Sequence, residues 1–103
     1  MTQAHIGVIG VGTMGSALAL NFAEKGQNVA LWNLDLDMVD RLIASAGDLS
    51  ARLQRCESLA DLVTALPVPR AIVLMIPAGT PVDQTIAALR PLLSAGDTII
   101  DGG

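Results

Sequence analysis

The stretch that decides the fold is residues 5–15, which read His-Ile-Gly-Val-Ile-Gly-Val-Gly-Thr-Met-Gly. Its first half is a short run of apolar and β-branched residues, which is typical of a buried strand. Gly10, Gly12 and Gly15 follow with the spacing G-x-G-x-x-G, and a helical pattern of apolar residues begins at Met14. In the order strand, glycine turn, helix, this spacing indicates a site for the phosphates of a dinucleotide.

Each glycine of the turn has its own predicted role. Gly10 permits the tight turn, Gly12 leaves room for a pyrophosphate to approach the backbone, and Gly15 lets the helix pack against the strand. The start of the helix then offers free N–H groups and the positive end of its dipole to the phosphates. The residues predicted to bind the cofactor here are Gly10, Val11, Gly12, Thr13, Met14 and Gly15.

The rest of the chain alternates short apolar runs with helical patterns. We predict further strands at residues 28–32, 52–56, 71–76 and 98–100. Helices are predicted at residues 14–25, from about 35 to 46, at 58–66, and from 80 to about 95. The first helix should have Met14, Leu18 and Phe22 on its apolar face. Pro91 should kink or divide the last helix.

This alternation predicts one α/β domain over residues 1–103. Strands separated by helices favour a Rossmann-type, doubly wound parallel sheet in three αβα layers. The predicted strand order is 3-2-1-4-5, and the fold normally adds a sixth strand, so we expect it to be truncated after the fifth. The composition agrees, because 51% of the residues are hydrophobic and only 16% are charged.

Charge and cysteine content exclude several classes of function. The net charge is −4 with a single lysine, Lys25, which argues against a nucleic-acid surface. No apolar run approaches the roughly 20 residues of a membrane span, so we expect no membrane partner. Cys56 is the lone cysteine, which excludes an internal disulfide and a cysteine-rich metal site. A reducing cytoplasm is the default compartment for such a chain.

The end of the second strand reads Asn33-Leu34-Asp35, where this fold normally recognises the adenosine ribose. Asn33 can hydrogen-bond the ribose of either NAD or NADP, and Leu34 offers no charge. Asp35 would repel a 2′-phosphate if it points inward, or it caps the second helix. Trp32 could touch adenine, but we expect it to pack under the second helix.

Several segments together resemble the N-terminal coenzyme domain of the 6-phosphogluconate dehydrogenase family. The related β-hydroxyacid dehydrogenases, of the hydroxyisobutyrate kind, share the phosphate turn but not the whole series. The closing block Ile99-Ile100-Asp101-Gly102-Gly103 is distinctive. The other matching residues are 6–10, 14–15, 21, 23–26, 69–70, 78–79, 81–83, 86, 92–93 and 96–97.

The resemblance implies oxidation of 6-phosphogluconate with NADP and decarboxylation to ribulose 5-phosphate, in the pentose phosphate pathway. By position it assigns Asn33, Leu34 and Asp35 to the adenosine 2′ position, and Ile76, Pro77 and Ala78 to a loop near the nicotinamide. The family has Arg-Thr where this chain has Leu34-Asp35, and commonly Lys at position 77. Because the guanidinium that would bind the 2′-phosphate is missing, either NAD or NADP can be the cofactor.

The resemblance also implies what these residues lack. The family's catalytic lysine and glutamate lie beyond position 103, so we expect no catalytic residue and no metal ligand here. We therefore expect a fragment that binds dinucleotide without turning over 6-phosphogluconate. Family dimers form largely through the other domain, so a monomer or weak self-association is expected. The alternatives are a hydroxyisobutyrate-type dehydrogenase domain and a non-catalytic nucleotide-binding module.

Overall fold

The computed structural model describes residues 4–76 and 79–102. Within those residues the strands are β1 (Ile6–Ile9), β2 (Val29–Trp32), β3 (Leu53–Arg55), β4 (Ala71–Leu74) and β5 (Thr98–Asp101). The helices are α1 (Thr13–Glu24), α2 (Leu36–Ser45), α3 (Leu59–Thr64) and α4 (Thr80–Leu89), with 3₁₀ helices at Gly47–Arg52 and Arg90–Leu92. In this part of the chain, no helix is both long enough and apolar enough to span a bilayer.

The strands form one parallel sheet in the order β3-β2-β1-β4-β5, as the element order predicted. The register places Ile9 opposite both Trp32 and Leu74, and Leu74 opposite Asp101. The strands β1, β2, β4 and β5 therefore end level with one another in the sheet. The loops that follow them share the carboxyl edge of the sheet, which is where open α/β sheets bind ligands.

Helices cover both faces of the sheet, so the predicted three layers are confirmed. One core takes residues from α1 and α2 and includes Val8 and Leu31 of the sheet. The other core takes Leu62 from α3 and Leu89 from α4. Trp32 packs against this second core and not under α2, so that expectation was wrong. Successive side chains alternate across a strand, and the preceding residue, Leu31, already faces α2.

The face of α1 that packs on the sheet differs from the prediction. The buried residues are Gly15, Ala19 and Ala23, spaced four apart, whereas Met14 is 68% exposed. The predicted apolar face beginning at Met14 was therefore wrong. A stripe of residues with small or absent side chains lets α1 lie close to the sheet, and the periodicity of the larger residues alone does not show this.

The predicted helix boundaries are mostly confirmed. Gly26 adopts a φ of +88° just after α1, the left-handed conformation expected of a residue that ends a helix. The hydroxyl of Ser58 caps α3 by accepting a hydrogen bond from the N–H of Asp61 at 3.0 Å. Pro91 divides the fourth helix, because α4 gives way there to the 3₁₀ helix Arg90–Leu92.

A partly buried ion pair joins the start of β4 to the loop before β5, at the amino edge of the sheet. The Asp97 side chain is only 1% exposed, and Nη1 of Arg70 donates to its Oδ2 at 3.0 Å. The backbone N–H groups of Ser94 and Arg70 donate to the same carboxylate at 2.7 and 2.6 Å. These hydrogen bonds, with the nearby guanidinium, lower the pKa of Asp97.

Candidate functional site

The glycine turn leaves no space for a side chain at two of its glycines. Gly10 has a φ of +97°, and its N–H donates to the carbonyl oxygen of Trp32 at 2.9 Å. A Cβ at Gly10 would collide with the carbonyl oxygen of Met75 and lie 2.7 Å from Cγ2 of Ile76. A Cβ at Gly15 would collide with the carbonyl oxygen of Gly10. The turn and the start of α1 are therefore in direct contact.

Gly12 has a different environment. Its φ is −66°, and apart from Gly12 itself and its two chain neighbours, no described residue has an atom within 4 Å of the position that its Cβ would take. It is the N-cap of α1, where neither a side-chain cap nor an acidic residue of the first turn is found among the described residues. Thr13 and Met14 are exposed. The first N–H groups of α1, with the positive end of the helix dipole, therefore face space that a ligand can enter.

Asn33 connects the glycine turn to the loop that follows β2. Its Oδ1 accepts a hydrogen bond from the N–H of Val11 at 3.0 Å. Its Nδ2 donates to the carbonyl oxygen of Asp35 at 3.0 Å and contacts Sδ of Met38 at 3.5 Å. Both ends of the amide group are therefore engaged within the protein.

The residues that follow Asn33 determine the charge of this loop. The Leu34 side chain is 88% exposed and carries no charge. Asp35 is the N-cap of α2, and its Oδ1 accepts from the N–H of Asp37 at 3.1 Å. The interpretation of Asp35 as a helix cap is therefore confirmed. Both carboxylates are exposed, so the loop is negative.

A cleft of about 380 Å³ opens at the carboxyl edge, between the ends of β1 and β2 and the first turns of α4. It brings together four predicted residues, namely Gly10, Asn33, Leu34 and Ile76. The remaining lining residues are Ile9, Trp32, Pro81, Gln84 and Thr85. None of the described residues that line this cleft is a lysine or an arginine.

The other predicted residues lie beside the cleft or outside the description. Val11, Gly12, Thr13 and Gly15 belong to the turn and the start of α1, whereas the Met14 side chain lines a separate groove with Leu18 and Met75. Pro77 and Ala78 lie outside the described residues. Gln84 and Thr85 belong to no recognisable sequence motif, although the predicted helix start at residue 80 would have placed them at this edge.

The other chemically reactive groups are structural. Cys56 is 2% exposed, and burial raises the pKa of its thiol to about 11, so the thiolate needed for reactivity is scarce. Its N–H donates to the carbonyl oxygen of Leu31 at 2.9 Å. Across residues 4–76 and 79–102, histidine, cysteine and carboxylate side chains form no cluster that could hold a metal ion.

Fold and site together define a class, the α/β domains that hold a dinucleotide at the carboxyl edge of a parallel sheet. Comparison with known families narrows this class. The pattern of the family described as the NAD binding domain of 6-phosphogluconate dehydrogenase matches residues 5–103. The chain therefore belongs to this family.

Individual relatives agree with the family assignment. The NAD(+)-dependent, decarboxylating 6-phosphogluconate dehydrogenase of Bacillus subtilis is 51% identical over 98 residues, which is 95% of this chain and 20% of that protein. The enzyme of Bacillus licheniformis is 48% identical over 98 residues, covering 95% and 21%. The solved 6-phosphogluconate dehydrogenase of Plasmodium falciparum has a TM-score of 0.88 at 31% identity, covering 96% and 21%. The chain thus spans about a fifth of the length of these relatives.

Proposed function

We propose that residues 1–103 are the coenzyme-binding domain of an enzyme that oxidises 6-phosphogluconate and decarboxylates it to ribulose 5-phosphate, within the pentose phosphate pathway. We propose further that this domain takes NAD in preference to NADP. The family match over residues 5–103 supports the first proposal. The observation that carries the cofactor preference is the uncharged, exposed Leu34 at the end of β2.

The described residues fit a dinucleotide at two places. The N–H groups at the start of α1 suit the pyrophosphate, and the open space at Gly12 lets it approach the backbone. The cleft beside Trp32 and Asn33 suits the adenosine half, with Ile76 in its wall. Bound NAD supplies the acceptor for a hydride, and the chain binds and orients it. In this proposal the cofactor-binding residues are Gly10, Val11, Gly12, Thr13, Met14, Gly15, Leu34, Asp35, Ile76, Pro77 and Ala78, and Asn33 connects the turn to the cleft.

The preference for NAD follows from charge around the adenosine ribose. The 2′-phosphate of NADP would add a third phosphate group to the cofactor, close to Asp35 and Asp37, which are both exposed carboxylates. The residue at position 34, where the family resemblance leads us to expect an arginine, is a leucine. A hydrogen bond to a charged group typically stabilises by roughly 1.5–3 kcal/mol, and that stabilisation is missing here. The Bacillus subtilis relative, 51% identical, is described as NAD(+)-dependent, which supports the same preference.

The experiment is calorimetric titration of the 103-residue chain with NAD and with NADP. We expect saturable binding of NAD and weaker binding of NADP. Leu34→Arg should raise the affinity for NADP roughly tenfold or more and leave that for NAD nearly unchanged, because it adds a cation facing only the 2′-phosphate. Leu34→Gln is the matched control, since it changes the same exposed position without adding charge.

Two results would contradict the preference. One is tighter binding of NADP than of NAD by the unmodified chain. The other is a Leu34→Arg variant with unchanged affinity for NADP. Arg41, in a groove between α1 and α2 that Val11 also lines, offers a cation on this side of the sheet. If NADP binds well and Arg41→Gln abolishes that binding, Arg41 serves the 2′-phosphate and the preference for NAD is wrong.

The remaining proposals concern partners and compartment. We propose that 6-phosphogluconate is bound only with groups outside these 103 residues, and that nucleic acid and membranes are not partners. Isolated, the chain should be monomeric or self-associate weakly through exposed apolar side chains such as Met14 and Ile100, which are 68% and 46% exposed. A cytoplasmic location is supported by the buried, unpaired thiol of Cys56.

A further inference from the structure

We propose that Asn33 is a positioning residue, which fixes the peptide group of Val11 and thereby sets the affinity of the glycine turn for a pyrophosphate. Asn33 would then act through the protein and without contacting the ligand. This inference rests on the proposed function, because it assumes that the turn binds a dinucleotide. It differs from the expectation that Asn33 hydrogen-bonds the ribose.

The first step of the argument is the hydrogen bonding of the amide. The Oδ1 of Asn33 accepts from the N–H of Val11 at 3.0 Å, across 22 positions of sequence. The Nδ2 donates to the carbonyl oxygen of Asp35, at the N-cap of α2. The side chain is therefore held between the turn after β1 and the loop after β2. A ribose hydroxyl would have to share or displace one of these bonds.

The second step is the position of Val11 within the turn. Val11 lies between Gly10, held at a φ of +97°, and Gly12, the N-cap of α1. Its side chain is buried and its carbonyl oxygen accepts a hydrogen bond from the Ser16 hydroxyl at 2.7 Å. Both backbone polar groups of Val11, its N–H and its C=O, are thus used inside the protein. The orientation of the following N–H groups, which face the open end of α1, depends on how this unit is held.

The third step is the consequence for binding. A preformed turn binds without first having to order, whereas a turn that must be ordered by the ligand binds more weakly. Without the Asn33 side chain, the Val11 N–H loses its partner in a largely buried position. The affinity should fall for ligands whose phosphates contact the turn, and it should stay unchanged for ligands that bind only in the adenosine cleft. Adenosine and ADP differ only in the diphosphate, so they separate the two cases.

The experiment compares Asn33→Ala with the unmodified chain by nuclear magnetic resonance titration with adenosine, ADP and NAD. We expect the affinities for ADP and NAD to fall roughly three- to tenfold, as for the loss of one hydrogen bond, and that for adenosine to stay unchanged. Asn21→Ala is the matched control, because it removes an exposed asparagine of α1 that does not line the cleft.

A second readout needs no ligand. The amide proton of Val11 should move upfield and exchange faster with solvent in Asn33→Ala. Asn33→Asp should restore its protection, because a carboxylate oxygen can accept the same hydrogen bond. This variant keeps the inference testable even if Asn33→Ala folds poorly. A merely structural role would lower stability and change the Val11 amide, but it would leave the ratio of the ADP and adenosine affinities unchanged.

The outcomes separate this inference from the proposed function. Equal weakening of adenosine and ADP would show that Asn33 contacts the ribose and would overturn the inference. Unchanged affinity for ADP, or an unchanged Val11 amide in Asn33→Ala, would overturn it as well. If the unmodified chain binds neither NAD nor ADP, both proposals fail. If it binds NAD and Asn33→Ala binds equally well, only this inference fails.

Discussion

Replacing Gly10 by alanine should destabilise the protein much more than the same replacement at Gly12, two positions away. At Gly10 the φ of +97° costs a side chain roughly 1–2 kcal/mol. The collision with Met75 and Ile76 adds roughly 1–3 kcal/mol, because backbone and a packed side chain must move. We therefore expect a loss of about 2–5 kcal/mol, from a total that is typically about 5–15 kcal/mol.

At Gly12 the same change should be nearly neutral. The φ of −66° suits alanine, and its Cβ would meet no described atom. Alanine is a poorer N-cap than glycine, by roughly half a kcal/mol. Restricting the unfolded chain offsets this by about 0.4–1 kcal/mol. The two variants thus differ only in the local geometry that the structure assigns to each glycine.

The assay is urea-induced unfolding of each variant without nucleotide, followed by circular dichroism. Equal free energies of unfolding for Gly10→Ala and unmodified protein would refute the reasoning, as would a Gly12→Ala variant destabilised as much as Gly10→Ala.

Three further predictions concern other parts of the molecule. Asp97→Asn should lower stability at neutral pH. Because folding lowers the pKa of Asp97, the ionised carboxylate stabilises the folded state above the unfolded-state pKa, and this stabilisation is lost as pH falls through the folded-state pKa. The free energy of unfolding of the variant should therefore fall less steeply in acid than that of unmodified protein. Parallel acid-unfolding curves would contradict this. The Cys56 thiol, with a pKa of about 11, should react with a thiol reagent only on unfolding, and fast labelling of folded protein at neutral pH would disprove its burial. Leu62→Ala should reduce the free energy of unfolding by about 2–5 kcal/mol in urea titrations, because Leu62 is fully buried between α3 and the sheet, and a loss below about 1 kcal/mol would mean that this core is loosely packed.

Much of the fold could be predicted from the sequence because local signals agree with one another. The glycine turn, the capping serine Ser58 and the divided helix at Pro91 are each set by residues within a few positions. The parallel order then follows from the alternation of strands and helices. The short edge strand β3 was the weakest of these signals and was still predicted correctly.

What the sequence could not predict depends on contacts between distant segments. The sheet-facing stripe of α1 uses Gly15, Ala19 and Ala23, whose small side chains give a weak hydrophobic signal beside Met14. The Arg70–Asp97 ion pair joins residues 27 positions apart. For the site, the motif predicted the turn but not the hydrogen bond that Asn33 makes to it, nor the wall that α4 adds to the cleft.

Binding at the cleft can be measured most directly through Trp32, the only tryptophan of the chain, which lines it beside Asn33. Titration with NAD, followed by Trp32 fluorescence, should give a saturable change. In a second titration, with NADH, the fluorescence of the bound nicotinamide is followed, and ADP should reverse that change by competition. NADP should require higher concentrations to reach the same change. The absence of any saturable change with NAD, together with no heat of binding in calorimetry, would contradict the assignment of this cleft to a dinucleotide.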